Sequence, residues 1–168
     1  MFTGTWSAVS FFSRLTAKNK LARQHNFTIA EVSGLQGFLD AISQAQTCPN
    51  VIAIDDTSDG YSDIANSPHS RMIKTIYTAM RHTPGDPKAR RECLAIMHEN
   101  SMVPNKQAYI NVIIREKTRL EEDMIYLDSR ISFSEMDKYF CTGQACAFFQ
   151  LTIDTDTNLV YNPDEWIS

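Results

Sequence analysis

Apolar side chains first gather in residues 1–24, where Trp6, Phe11, Phe12 and Leu15 accompany the basic residues Arg14, Lys18, Lys20 and Arg23. A short helix from about Trp6 to Leu15 sets Trp6, Val9 and Ser10 beside one another, followed by Ser13, a modest stripe. The segment reads as an arm that packs either on its own domain or on another subunit. From His25 to Val32, Phe27 and Ile29 alternate with Asn26 and Thr28, a weak strand pattern. Ser33-Gly34 breaks it and caps a helix from Leu35 to about Gln46, with Leu35, Phe38, Leu39 and Ile42 on one face. Val51-Ile52-Ala53-Ile54 is an uninterrupted apolar run, stopped by Asp55, Asp56 and the turn Asp59-Gly60. Such a run predicts a central strand buried on both faces. After a polar loop through Ser70, the Ile-, Thr- and Tyr-rich stretch Arg71–Arg81 reads as a strand antiparallel to it.

Thr83-Pro84-Gly85-Asp86-Pro87 signals a helix start, with Asp86 capping free amides and Pro87 at the first helical position. Ala89, Cys93, Ile96 and Met97 share one face of that helix, Asn100 to Pro104 breaks it, and a second piece runs from about Asn105 to Glu122. Two strands follow. Ile125–Phe133 points Ile125, Leu127, Ile131 and Phe133 one way, and Ala145–Asp154 does the same with Ala147, Phe149, Leu151 and Ile153. A one-residue slip would turn the second set to solvent, so its register is well specified. Strands in pairs between helices predict an α+β fold, a mostly antiparallel four- to five-stranded sheet with helices packed on one face. The division expected is an arm over residues 1–24 and a single α+β domain over 25–168. Phe148 and Tyr77 fall near the face expected to lack helices, which hints at a partner.

Composition narrows the function classes. The chain has 168 residues, 43% apolar and 21% charged, the mix of a packed domain rather than a disordered one. Sixteen Lys and Arg stand against twenty Asp and Glu, a net charge of -4, which argues against a protein that coats nucleic acid. No apolar run approaches the roughly 18 to 20 residues of a membrane span, and Met1–Phe12 lacks the basic start of a secretory signal. Cys48, Cys93, Cys141 and Cys146 are scattered, which predicts free, mostly buried thiols in a cytosolically made protein.

The best site candidate is the acidic stretch Asp55-Asp56-Thr57-Ser58-Asp59-Gly60, with Asp63 beyond. As a calcium loop it matches positions one, three, five, six and nine, but Asn66 stands where a bidentate Glu belongs and a strand precedes it. A solvated turn whose aspartates bond local amides is the simpler reading, and an acidic contact surface is the other. His25, His69, His82 and His98 show no metal-ligand spacing. Cys141 and Cys146 have four residues between them, the wrong spacing for a redox pair, and Cys93 and His98 point to different helix faces. No phosphate-cradling Gly-rich loop or nucleophile elbow is present. The run Arg115–Asp123 reads as an exposed helix face with pairs such as Lys117 and Glu121. The sequence specifies no reaction, no catalytic residue, no metal and no cofactor.

The order of elements, together with Val51–Gly60 and the closing Phe148-Phe149-Gln150-Leu151-Thr152-Ile153-Asp154, resembles the tail terminator (tail-completion) proteins of long-tailed phages and prophages. The stretch Asn158–Trp166 is similar to the ends of proteins carried in Bacteroides-type mobile elements. The resemblance covers about residues 26 to 166 and rests on topology more than motifs. It implies a small α+β subunit that forms a ring, a hexamer in most such proteins, at the head-proximal end of the tail. Its partners would be its own copies and neighbouring tail-tube or neck proteins, in a virion assembled in the bacterial host cytoplasm. The middle helical region, Asp86–Asp123, is longer than a minimal version needs.

The expected interface combines Trp6, Phe11 and Phe12 of the arm, the aspartates Asp55, Asp56, Asp59 and Asp63, and the tail aromatics Tyr161 and Trp166. Ring contacts between unlike patches need such separate surfaces. Two alternatives stand beside this reading: a bacterial adaptor module without catalysis, and a metal-dependent enzyme using the Asp55–Asp63 loop.

Overall fold

The computed structural model describes residues 7–44, 50–65, 68–97, 125–128, 130–156, 163–165 and 167. The chain opens with helices α1 (Ala8–Lys18) and α2 (Lys20–Gln24), then strand β1 (Phe27–Val32), helix α3 (Gly34–Gln44) and strand β2 (Asn50–Asp55). Strands β3 (Asp59–Asp63) and β4 (His69–Arg81) precede helix α4 (Pro87–Met97). Strands β5 (Ile125–Leu127), β6 (Ser132–Glu135) and β7 (Gln144–Asp156) complete one seven-stranded sheet. The fold is α+β and the sheet mostly antiparallel.

Its spine is the β4–β7 ribbon, thirteen residues in each strand, paired without interruption from His69↔Asp156 to Arg81↔Gln144. At the Arg81 end the ribbon is flanked by β2, with β1 beyond it, and by β6; at the His69 end it is flanked by β3 and β5. β1 and β2 run parallel, which a hairpin cannot achieve, and α3 supplies the crossover. The sequence-based expectation of four to five strands is therefore corrected to seven. β3 was hidden inside a polar loop, and the segment 125–133, expected as one strand, is interrupted into β5 and β6, which pair with successive stretches of β7.

Helices lie on both faces rather than on one. The even-numbered β2 residues Ile52 and Ile54, with Ile76, Phe149, Leu151 and Ile153, pack against Phe11, Phe12 and Leu15 of α1. Farther along that face, Met80, Ala145 and Ala147 meet Cys93, Leu94 and Met97 of α4. On the other face Val51, Ala53, Tyr77 and Cys146 meet Phe38 and Ile42 of α3. All six residues of β2 are buried, as expected of a strand covered on both sides. Tyr77 and Phe148, expected on an uncovered face, belong instead to this aromatic layer: Tyr77 stacks on Phe38 at 4.8 Å, and Phe148 lies 6.1 Å from Tyr77.

The arm is part of the core. Ala8, Phe11, Phe12, Leu15 and Thr16 form the buried face of α1, a spacing of three, four, seven and eight that differs from the expected Trp6–Val9–Ser10–Ser13 stripe. Ser7 caps the helix by accepting from the Ser10 amide at 3.3 Å. Phe11 and Phe12, candidate interface residues in the sequence, are buried in the chain's own core. Asp86 behaves as its sequence context predicts, accepting from the Ala89 amide at 3.0 Å to cap α4. Asn100–Pro104, the helix expected over Asn105–Glu122, the charged run Arg115–Asp123, Cys48 and His98 lie outside the described residues.

Candidate functional site

The acidic stretch divides into a buried corner and an exposed rim. Asp55 ends β2 beside the start of α3 and is only 7% exposed. Its Oδ1 accepts from the Thr57 hydroxyl at 2.8 Å, the Thr57 amide at 3.0 Å and the Gly34 amide at 3.3 Å. The Tyr77 hydroxyl donates to Oδ2 at 3.5 Å. Burial alone would raise this carboxyl, but the Thr57 and Gly34 donors, with Lys74 nearby, hold it below the ordinary carboxylate value. Burial and the neighbouring carboxylate push the Tyr77 hydroxyl the opposite way, upward. Asp55 is therefore a clasp that fastens the first turn of α3 to the β2–β3 loop, and it is corrected from a contact residue to a structural one.

Asp56 and Asp59 are exposed and Asp63 half-buried, strung along β3 and its approach. Asp63 also accepts from the Ala65 amide at 2.9 Å. A strand spreads these carboxylates along an extended chain instead of wrapping them round an ion. Among the described residues, no three His, Cys, Asp or Glu side chains are grouped to hold a metal. Gly60 had suggested a turn, yet its part is to permit close approach. A Cβ there would lie 1.9 Å from the Arg71 carbonyl oxygen, so only glycine lets β3 pair with β4 here.

Beside the rim the sheet opens a polar and aromatic face that sequence reasoning missed. The β3–β4 and β4–β7 registers bring Tyr61, Arg71 and Asp154 into one row. Arg71 forms a bidentate pair with Asp154, Nε to Oδ1 at 2.7 Å and Nη2 to Oδ2 at 2.8 Å, and its guanidinium lies 5.8 Å from the Tyr61 ring centre. The arginine's hydrogen bonds hold the Asp154 carboxyl below its ordinary value. Tyr61 is 54% exposed. None of Arg71, Ile73, Thr75, Gln150, Thr152 and Asp154 belongs to the three buried clusters. The only sequence signal was the alternation of Thr152 and Asp154 with Leu151 and Ile153, whose polar half has a surface role of its own.

At the opposite end of the ribbon a cleft of about 830 Å³ lies between the start of α4 and the β6–β7 turn. Arg90, Arg91, Lys138 and His82 contribute cationic or titratable groups to its wall, and Asp86 and Glu135 carboxylates. Arg90 is tethered through Nη2 to the Met136 carbonyl. Lys138 sits 5.0 Å from the ring centre of Tyr139, which is 83% exposed. Sequence reasoning could not join these residues, since α4 and the β6–β7 turn are far apart along the chain.

Burial disfavours the reactive thiolate at Cys93 and Cys146. Burial pushes Cys146 up to about 12, with Cys141 adding to it, and burial also raises Cys93. Trp6, Tyr161 and Trp166 lie outside the described residues. No described helix is long and apolar enough to cross a membrane. No family model and no curated protein sequence matches the chain.

Proposed function

We propose that this chain is a structural protein of a phage or prophage particle, a subunit that works through contacts with its own copies and with neighbouring tail proteins. The resemblance to tail terminators supplies the particular role, a ring at the head-proximal end of the tail, made in the bacterial host cytoplasm and carried in the virion. The observation that supports a contact role most directly is the open face around Tyr61, Arg71 and Asp154. Tyrosine and arginine are among the residues enriched at the energetic centres of protein interfaces, and here an exposed tyrosine lies under a fixed guanidinium. The strong pairing of Arg71 with Asp154 holds this surface in one shape before a partner arrives, which lowers the ordering cost of association.

Size-exclusion chromatography with light scattering tests the reading. The wild-type chain is expected to form a discrete oligomer as concentration rises, and Tyr61→Ser to shift it toward monomer with an unchanged melting temperature. A strictly monomeric wild-type chain at every attainable concentration, with or without purified tail-tube protein, overturns the assembly role and leaves the adaptor reading.

A further inference from the structure

We infer that copies of this chain associate head to tail, the acidic β3 rim of one subunit seating in the cationic cleft of the next. The inference rests on the self-assembly reading and adds which surfaces meet. The two surfaces occupy opposite poles of the molecule. The rim follows the His69 half of the β4–β7 ribbon, with Asp59 opposite Ile73 and Asp63 opposite His69, and the cleft lies at the Arg81 end, roughly 25 to 40 Å away along the strand. No single subunit can bring them together, so their union requires a second copy.

Their charges are complementary. From Asp55 to Ala65 the chain has four aspartates and no lysine or arginine. Asp55 is consumed by its own hydrogen bonds, and Lys74 of β4 donates to the Thr57 carbonyl at 3.2 Å, so Asp56, Asp59 and Asp63 outnumber the one lysine and give the rim its sign. In the cleft Arg90, Arg91 and Lys138 face two carboxylates, and Asp86 already caps the Ala89 amide. Each surface also carries an exposed tyrosine, Tyr61 on the rim and Tyr139 at the cleft. The cleft volume is within the range that accepts several side chains at once. Because the joined surfaces are unlike, every added subunit leaves one rim and one cleft free, and the series ends only by closing into a ring.

Charge reversal at exposed positions provides the test. Arg91→Glu with Lys138→Glu makes both poles acidic, and Asp56→Lys with Asp59→Lys makes both basic. Each double variant is expected to weaken self-association by about tenfold or more, since like charges then meet across the contact. Mixed in equal amounts, the two variants are expected to rebuild an oligomer of wild-type size in which they alternate, and added salt to loosen the wild-type assembly. Melting curves confirm that each variant remains folded. An oligomer unaffected by either reversal overturns this contact while self-assembly stands, and the aspartates then serve only to guard an edge strand. Dissociation by both reversals without recovery on mixing also overturns it. A wild-type chain that never self-associates removes the assembly reading and this inference together.

Discussion

The two ends of the β4–β7 ribbon are built from the same two strands and yet serve different ends. Near Arg81, residues 76–80 of β4 and 144–147 of β7 are buried, with α4 and α1 on one face and α3 on the other. Near His69, β7 alternates: Leu151 and Ile153 are buried while Thr152 and Asp154 remain half-exposed. The first pattern belongs to a strand covered on both sides, the second to a strand with one face toward water. A continuous ladder thus passes from a zone that stabilises the fold to one that presents a surface. A rigid core lies directly behind the exposed row, so Tyr61 and Arg71 are held on a sheet rather than on a loop.

The sharpest break in that contrast would come from α1. Phe12 is fully buried against Phe149, so Phe12→Ala is expected to cost about 3–5 kcal/mol in chemical denaturation. A loss under 1 kcal/mol would return the arm to a peripheral role. Adjacent residues of β7 give the next test. Ile153→Ala should cost about 2–5 kcal/mol, whereas Thr152→Ala should remain within about 0.5 kcal/mol. Equal effects would dissolve the distinction between the faces.

A more modest loss is expected at the junction between zones. Asp55→Ala strands the Gly34 and Thr57 donors and should cost about 1–3 kcal/mol. Because the folded carboxyl titrates lower than the unfolded one, its contribution is complete above the ordinary value of 3.8. That contribution disappears as pH falls through the lower folded value. The acid limb of the stability curve should therefore be flatter in Asp55→Ala than in wild type, and parallel limbs would remove Asp55 as the cause.

How much of this was legible in the sequence depended on whether a pattern was local. Val51–Ile54 announced a buried strand, Ala147–Ile153 announced its inward face, and Asp86-Pro87 announced a capped helix, each by signals within a few residues. β3 was not legible because Asp59, Tyr61 and Asp63 look like a loop until Gly60 is seen against the Arg71 carbonyl. The parallel pairing of β1 with β2 depends on where α3 returns the chain, which no window of alternation records. The α1 stripe was misphased because Ala8 and Thr16 are small and weakly apolar, and only contact with the sheet identifies them as inward. The rim, the open face and the cleft each join residues that the sequence keeps far apart, as Arg71 and Asp154 do across 83 positions.

That separation also governs how the molecule can be made. β7 is the last of the described strands, yet its place is in the middle of the sheet, between β4 on one side and β5 and β6 on the other. During synthesis the earlier strands must wait with β4's edge unsatisfied, because closing so long a loop is slow and its contacts repay nothing until they form. Completion of the sheet, and with it the burial of α1 on Phe149, Leu151 and Ile153, is consequently a late event. A chain truncated before Gln144 would leave the ribosome with its longest strand unzipped.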